Sequence, residues 1–428
     1  MADPADPRRL RLIASPVPPA AVLERIPRAA SSGLLVAGPD RLVVGEGTAA
    51  TLELPHGLSD AAALGAAVAW LAAAARGSDG AAQRRLVALG AFPFDPAAPA
   101  ALVVPSVSYC LSADGDAWML QVDGADTGFE PPDGEDAGPS VVAAVSFPSA
   151  DDYVAAVAAA LADIRRGVLH KVVLSRLVQV RMAHAPDAAA ILGRLWHGED
   201  IFRPFSLPSG GARLVGASPE LVVGRLGDRV ASRPLAGTVA LDGDEARAQD
   251  AERRLLASAK DRAEHRLVVD EVAAALAPRC SHLEVPAKPS VVRLGSDARL
   301  GTLVEGTLHR ASGGAPPASE DSALHLLASL HPTPAVAGVP RPAALAAIAR
   351  LEPAARGLWA GAVGWVDGSG DGEWMLAIRS VVLEGDDAAV RAGAGIVDGS
   401  QPQSELAEVT VKLRPVLEAL SPGASALL

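Results

Sequence analysis

Apolar residues run through this chain in two rhythms. In the first 140 residues short apolar runs, Arg41 to Val44, Leu86 to Phe92, Ala101 to Cys110 and Trp118 to Val122, alternate with turn clusters. That pattern predicts strands, covered by one helix from Ser59 to Arg76. The stretch DGADTGFEPPDGEDAGPS, residues 123 to 140, is acidic and rich in glycine and proline, and reads as a loop or linker.

Beyond it the elements lengthen. Ser149 and Asp152 make an S-x-x-D start, and Val154, Val157, Leu161 and Ile164 keep helical spacing up to Gly167. The β-branched run LHKVVLSRLVQV follows as a strand with Lys171 at its start, then a strand-turn-strand pattern from Arg213 in which Glu220 lies within an otherwise apolar strand. Asp244 to Leu276 reads as a long helical region, with Glu264 just ahead of the core-facing Leu267, Val268 and Val272, and Asp261 and His265 beside it. Arg356 to Ser380 reads as two strands around a Gly/Asp turn. A last strand, Ala392 to Val397, leads through a turn into a helix carrying Glu405, Glu408 and Lys412 within an arc of roughly 60°. Leu406, Val409, Leu413, Val416 and Leu420 occupy the adjoining arc, so these charges border the buried face.

Composition narrows the function. A chain of 428 residues, 50% hydrophobic and 21% charged, can bury a large core. A net charge of −12 without a basic tract argues against nucleic acid and anionic membranes, which leaves a small molecule as partner. Two cysteines without a CxxC support neither a disulfide framework nor a zinc site, and fit a reducing cytoplasm. No P-loop, G-x-S-x-G elbow or dinucleotide fingerprint occurs.

Lysine is scarce: Lys171, Lys260, Lys288 and Lys412 are four of 38 basic residues, and the rest are arginine. Arginine cannot shed its proton and lysine can, so each lysine invites a chemical role. On the residues alone, Lys171 is a functional amine or a solvated strand end. Glu220 is a buried acid with a raised pKa or a carboxylate paired to Arg225 or Arg229. Glu264, Glu405 and Glu408 make an oxygen-rich set suited to Mg²⁺, or else Glu408 and Lys412 form an i,i+4 surface pair.

In their order, HKVVLSR, ASPELVVGR, RPLAGTVA, AKDRAEHRLVVDE, LHPTPAVAGVPR, RGLWAGAVGWVDGSGDGEWMLAIR and AGAGIVDGSQPQSELAEVTVKL resemble the chorismate-utilising enzymes. That group contains isochorismate, salicylate, anthranilate and aminodeoxychorismate synthases. The likeness covers about residues 145 to 420 and is strongest to isochorismate synthase, because HPTPAVAG replaces the loop expected of the aminating members. It implies one large α+β domain, antiparallel sheets packed together with helices outside and the active site in a central cleft. Residues 1–140 would be a variable N-terminal part of that domain, 145–420 the chorismate-binding core and 421–428 a tail.

The resemblance implies a Mg²⁺-dependent isomerase that adds water at C2 of chorismate as the C4 hydroxyl leaves, for menaquinone, siderophore or other secondary-metabolite biosynthesis. By motif position Lys171 is the general base and Glu220 the general acid. Glu264 and Glu408 match metal ligands, with Asp261 and Glu405 as acidic neighbours. Arg379, Gly393 and Gly395 match the grip on the enolpyruvyl carboxylate, Gly237, Thr238 and Lys412 line the ring side, and Trp359 stands in the substrate site where some members have tyrosine. Arg299 replaces a histidine common in the group. A monomeric cytoplasmic protein is the expectation. The rival readings are a salicylate synthase, an aminating synthase and a catalytically silent chorismate-binding protein.

Overall fold

Burial along the strands shows why the chain builds stacked sheets. In Ala117–Val122 buried residues alternate with half-buried ones, whereas Val87–Phe92, Ala362–Asp367 and Gly372–Leu376 are buried throughout. Strands of the second kind need cover on both faces. The computed structural model describes residues 10–75, 85–123, 140–196, 201–241, 244–295, 297–309 and 319–428.

Among the described residues the strands form three antiparallel sheets. The largest has twelve strands and runs Leu12–Pro16, Ala117–Val122, Val107–Ser112, Arg41–Glu46, Leu34–Ala37, Arg203–Ser209, Ala212–Ser218, Ser380–Glu384, Asp387–Val397, Lys171–Met182 and Gly338–Val339, with Val141–Phe147 also pairing on Lys171–Met182. The second has nine: Cys280–Glu284, Val304–Leu308, Arg229–Arg233, Leu221–Leu226, Gly372–Leu376, Ala362–Asp367, Val87–Phe92, Ala100–Val104 and Ala50–Leu54. Leu235–Ala240, Asp297–Gly301 and Ser290–Leu294 make the third. The front of the chain is woven into both large sheets, Phe205 pairing with Val36 and Ala362 with Phe92.

Between the large sheets Val36, Val43, Phe205 and Leu214 meet Val87, Leu89, Trp365 and Met375. Helices Ala150–Arg165, Arg341–Leu351 and Pro402–Leu420 cover the twelve-stranded sheet, and Ala61–Ala74 and Ala323–Leu330 the nine-stranded one. This is the expected α+β architecture. No helix among the described residues is long and apolar enough to cross a membrane.

The chain passes between sheets at short joins, and prolines mark three of them. Pro105 and Ser106 link Ala100–Val104 to Val107–Ser112, Pro219 and Glu220 link Ala212–Ser218 to Leu221–Leu226, and Pro234 precedes Leu235–Ala240. Proline has no N–H to give a ladder, so a strand stops there. Two expectations are corrected for this reason. The run Ala101 to Cys110 is two strands in different sheets, and Glu220 lies in a join and not within a strand. The expected long helical region consists of two helices, Glu245–Ala257 and Ala259–Leu276, parted where Ser258 turns extended and its hydroxyl accepts the Asp261 N–H. The expected helix from Ser59 runs Ala61–Ala74, capped by Asp60; Arg76 and residues 124–139 of the acidic loop lie outside the described residues.

Candidate active site

The site lies where the joins, the third sheet and two helix starts converge. Lys171 opens the strand Lys171–Met182 and is bracketed by Val397 on one side and Val339 on the other, which leaves it fully buried. Its Nζ stands 3.0 Å from Glu264 Oε1 yet has no hydrogen-bond acceptor. Gly395, on the neighbouring strand, makes room for this contact. A Cβ there would lie 2.2 Å from Glu264 Oε1 and 3.0 Å from Lys171 Cε.

Glu220 is held by its backbone: its N–H donates to Ser218 Oγ at 3.3 Å and its carbonyl accepts from Leu376 N–H at 3.0 Å. Burial pushes its carboxyl up to about 7, against the opposing pull of Arg299, the Leu235 N–H, Lys171 and Lys412. A carboxyl that keeps its proton near neutrality can act as a general acid. Neither arginine considered as its partner neutralises it. Arg225 is spent on the carbonyls of Gly227 and Ser369, and Arg229 pairs with Glu305 at 3.5 Å.

The two helices present the other acids. Glu264, buried, projects from Ala259–Leu276 and Glu405 from the first turn of Pro402–Leu420. Three of the four lysines each hold one carboxylate: Lys171 with Glu264, Lys260 with Glu405 at 2.6 Å, and Lys412 with Glu408 at 2.6 Å. Lys412 also donates to the Gly393 carbonyl at 3.0 Å. Burial, then the charge of Glu408, raises Glu405, whose Oε2 has no partner. Asp261 is raised first by burial and also by Glu264 and Glu408. Burial would lift Glu408 too, but Lys412 and Lys260 hold it low. His265 is pushed down to about 4 by burial and by Lys171, and its Nε2 lies 2.7 Å from Thr302 Oγ1.

Gly237, at φ +69°, bulges its strand beside Asp261; a Cβ there would sit 3.1 Å from Asp261 Oδ1. Arg379, at φ +50°, occupies the join before Ser380–Glu384 and is anchored by Asp297.

A cavity gathers most of these groups: Glu220, Gly237, Thr238, Glu264, Trp359, Arg379, Gly393, Gly395 and Lys412 all line it. Lys171, Asp261, Glu405 and Glu408 are not among its lining residues. Val173, Leu235, Val336, Leu376 and Ile378 supply its apolar surface. Among the described residues no three acidic, histidine or cysteine side chains cluster closely enough to hold a metal by themselves. Sequence reasoning assigned nothing to Lys260, to Arg391 in the cavity wall, or to Glu352, which binds Arg356 at 2.5 Å and Arg391 at 3.4 Å beneath it. Only Lys260 had a signal, its scarcity.

The chorismate binding enzyme family model matches residues 126–421. Isochorismate synthase DhbC of Bacillus subtilis (strain 168) is 37% identical over 345 residues, covering 79% of this chain and 81% of its own. Isochorismate synthase EntC of Escherichia coli (strain K12) is 36% identical over 332 residues, covering 77% and 80%. The crystal structure of DhbC from Bacillus anthracis superposes with a TM-score of 0.79 at 32% identity, over 94% of this chain and 99% of that one.

Proposed function

The chain belongs to the chorismate binding enzyme family and converts chorismate to isochorismate, and we propose that Lys171 and Glu220 carry the two proton transfers of that isomerisation. The product serves menaquinone or siderophore biosynthesis. The observation that carries the proposal is the placement of two buried groups at one site: an amine 3.0 Å from Glu264 with no hydrogen-bond acceptor, and a carboxyl that burial pushes up to about 7.

In this reading Lys171 takes a proton from a water that adds at C2. Glu220 gives its proton to the C4 hydroxyl, which departs as water, so one water enters and one leaves. Arg379 and the backbone at Gly393 and Gly395 hold the enolpyruvyl carboxylate. Gly237, Thr238 and Lys412 flank the ring, with Trp359 closing an apolar wall. Both glycines on Asp387–Val397 keep that wall open, since a Cβ on Gly393 would already meet Trp359 at 3.2 Å.

We read the acids as a Mg²⁺ site that substrate and water oxygens would complete, since no three of the described acids cluster closely enough alone. Glu264 and Glu408 would hold the ion, with Asp261 and Glu405 behind them; the unpartnered Glu405 Oε2 and the mutual repulsion of these carboxylates support the reading. Bound there, the ion would neutralise the ring carboxylate of the substrate. The reading needs no partner beyond chorismate and describes a monomer acting in the cytoplasm.

The test is incubation of the purified protein with chorismate and Mg²⁺, with and without ammonium, and identification of products by chromatography and NMR. Isochorismate without pyruvate, lost with EDTA and in Lys171→Ala, is the expected result. Salicylate with pyruvate, or an amino product formed only with ammonium, would overturn it.

A further inference from the structure

Two guanidinium groups and one carboxylate are buried together at the cavity. Asp297 and Arg299 stand two apart on the strand Asp297–Gly301, so they point to the same side. They are 1% and 7% exposed. Arg299 Nε is 3.6 Å from Asp297 Oδ1, with neither atom hydrogen bonded, while the other Asp297 oxygen receives Arg379. One carboxylate facing two guanidiniums leaves this corner positive.

Arg299 lines the same cavity as Glu220. Of the groups that oppose the effect of burial on Glu220 it is the foremost, ahead of the Leu235 N–H, Lys171 and Lys412. Glu264, Arg379, Arg391 and Lys412 are the other charged groups on the cavity wall.

We propose that Arg299, seated by Asp297, is a positioning residue that stabilises the carboxylate which Glu220 becomes as it protonates the departing C4 hydroxyl. This rests on the reading of Glu220 as the acid. The proton passes from the Glu220 carboxyl to the C4 oxygen, the C4–O electron pair leaves with that oxygen as water, and a buried carboxylate remains. An anion formed there is costly unless a fixed cation already faces it. Arg299 supplies that cation and, never losing its own proton, cannot replace Glu220 as the acid. Asp297 moderates it, since a fully uncompensated pair of guanidiniums would strip the proton from Glu220 before substrate arrived.

The two residues therefore act on Glu220 with opposite sign, and a merely structural role would not. The experiment measures kcat and KM for chorismate against pH in the full chain for Arg299→Met, Arg299→Lys, Asp297→Asn and Glu220→Gln. Wild-type kcat/KM should fall as pH rises through about 7. Arg299→Met should carry that fall upward by roughly one pH unit and lower the acid-side kcat about tenfold, with KM changed much less. Arg299→Lys should stay near wild type. Asp297→Asn should move the fall to lower pH. An Arg299→Met profile that falls where the wild type does, or an Asp297→Asn profile shifted upward, overturns the proposal. Wild-type turnover in Glu220→Gln would instead remove the acid reading on which it stands.

Discussion

Replacing Gly395 by alanine separates the chemistry of the site from its stability. The added Cβ would lie 2.2 Å from Glu264 Oε1, 2.9 Å from its Cδ and 3.0 Å from Lys171 Cε. Gly395 is not among the residues with positive φ, so the strand itself accepts alanine and only the side chains must give way. Relief requires Glu264 Oε1 to retreat by about 1 Å, to ordinary van der Waals distance. That breaks the 3.0 Å contact with Lys171 and moves both groups. A displacement of this size at a reacting centre costs about 10²-fold in rate. Overpacking costs about 1–3 kcal/mol, offset by about 0.5–1 kcal/mol from the lost freedom of glycine in the unfolded chain. With the unfolding entropy of a domain this long, each kcal/mol moves Tm by only about 1 °C. Gly395→Ala should therefore lose about 10²-fold in kcat/KM, measured by chromatographic assay of isochorismate, and at most about 3 °C in Tm by calorimetry. Gly193→Ala, in a helix where nothing lies within 4 Å, is the control with wild-type turnover. A kcat/KM for Gly395→Ala within about threefold of wild type would refute the claim that this glycine keeps the Lys171–Glu264 contact open.

Other perturbations probe the same architecture. Lys171→Arg keeps the charge and loses the ability to release a proton, so turnover should fall by about 10²–10⁴-fold without recovery at alkaline pH, read by isochorismate formation. As the proposed acid Glu220 would act only while protonated, so wild-type kcat/KM should decline as pH rises through about 7, and Glu220→Gln should abolish turnover while chorismate still binds by calorimetric titration. Glu352→Ala would leave Arg356 and Arg391 buried without their carboxylate and the Ser175 N–H without its acceptor. It should cost about 3–5 kcal/mol in chemical denaturation, and Glu352→Gln less.

Lysine scarcity was the most legible mark of the site, because in a chain that uses arginine elsewhere Lys171, Lys260 and Lys412 each meet a carboxylate at the active site. The helices that carry Glu264 and Glu405 were legible from periodicity. The break between Glu245–Ala257 and Ala259–Leu276 was also visible, since Ser258 and Asp261 repeat the S-x-x-D pattern of Ser149 and Asp152. Pro105 and Pro219 marked strand ends that apolar periodicity ran straight across. The Glu352–Arg356–Arg391 network and the Asp297–Arg379 contact had no local signal, because packing alone brings those elements together.

The place of Lys171–Met182 in the twelve-stranded sheet also orders the birth of the molecule. Its far half can dock early on Val141–Phe147, which precedes it in the chain. The end bearing Lys171 waits for Val339 and Val397. At about 5–20 residues per second a ribosome needs roughly 10–45 s to cover the distance from Lys171 to Val397. Throughout that interval the nascent chain holds an open strand edge and an unfinished seat for the proposed base, so catalytic competence must wait for Val397, and any product stopped before it should be inert.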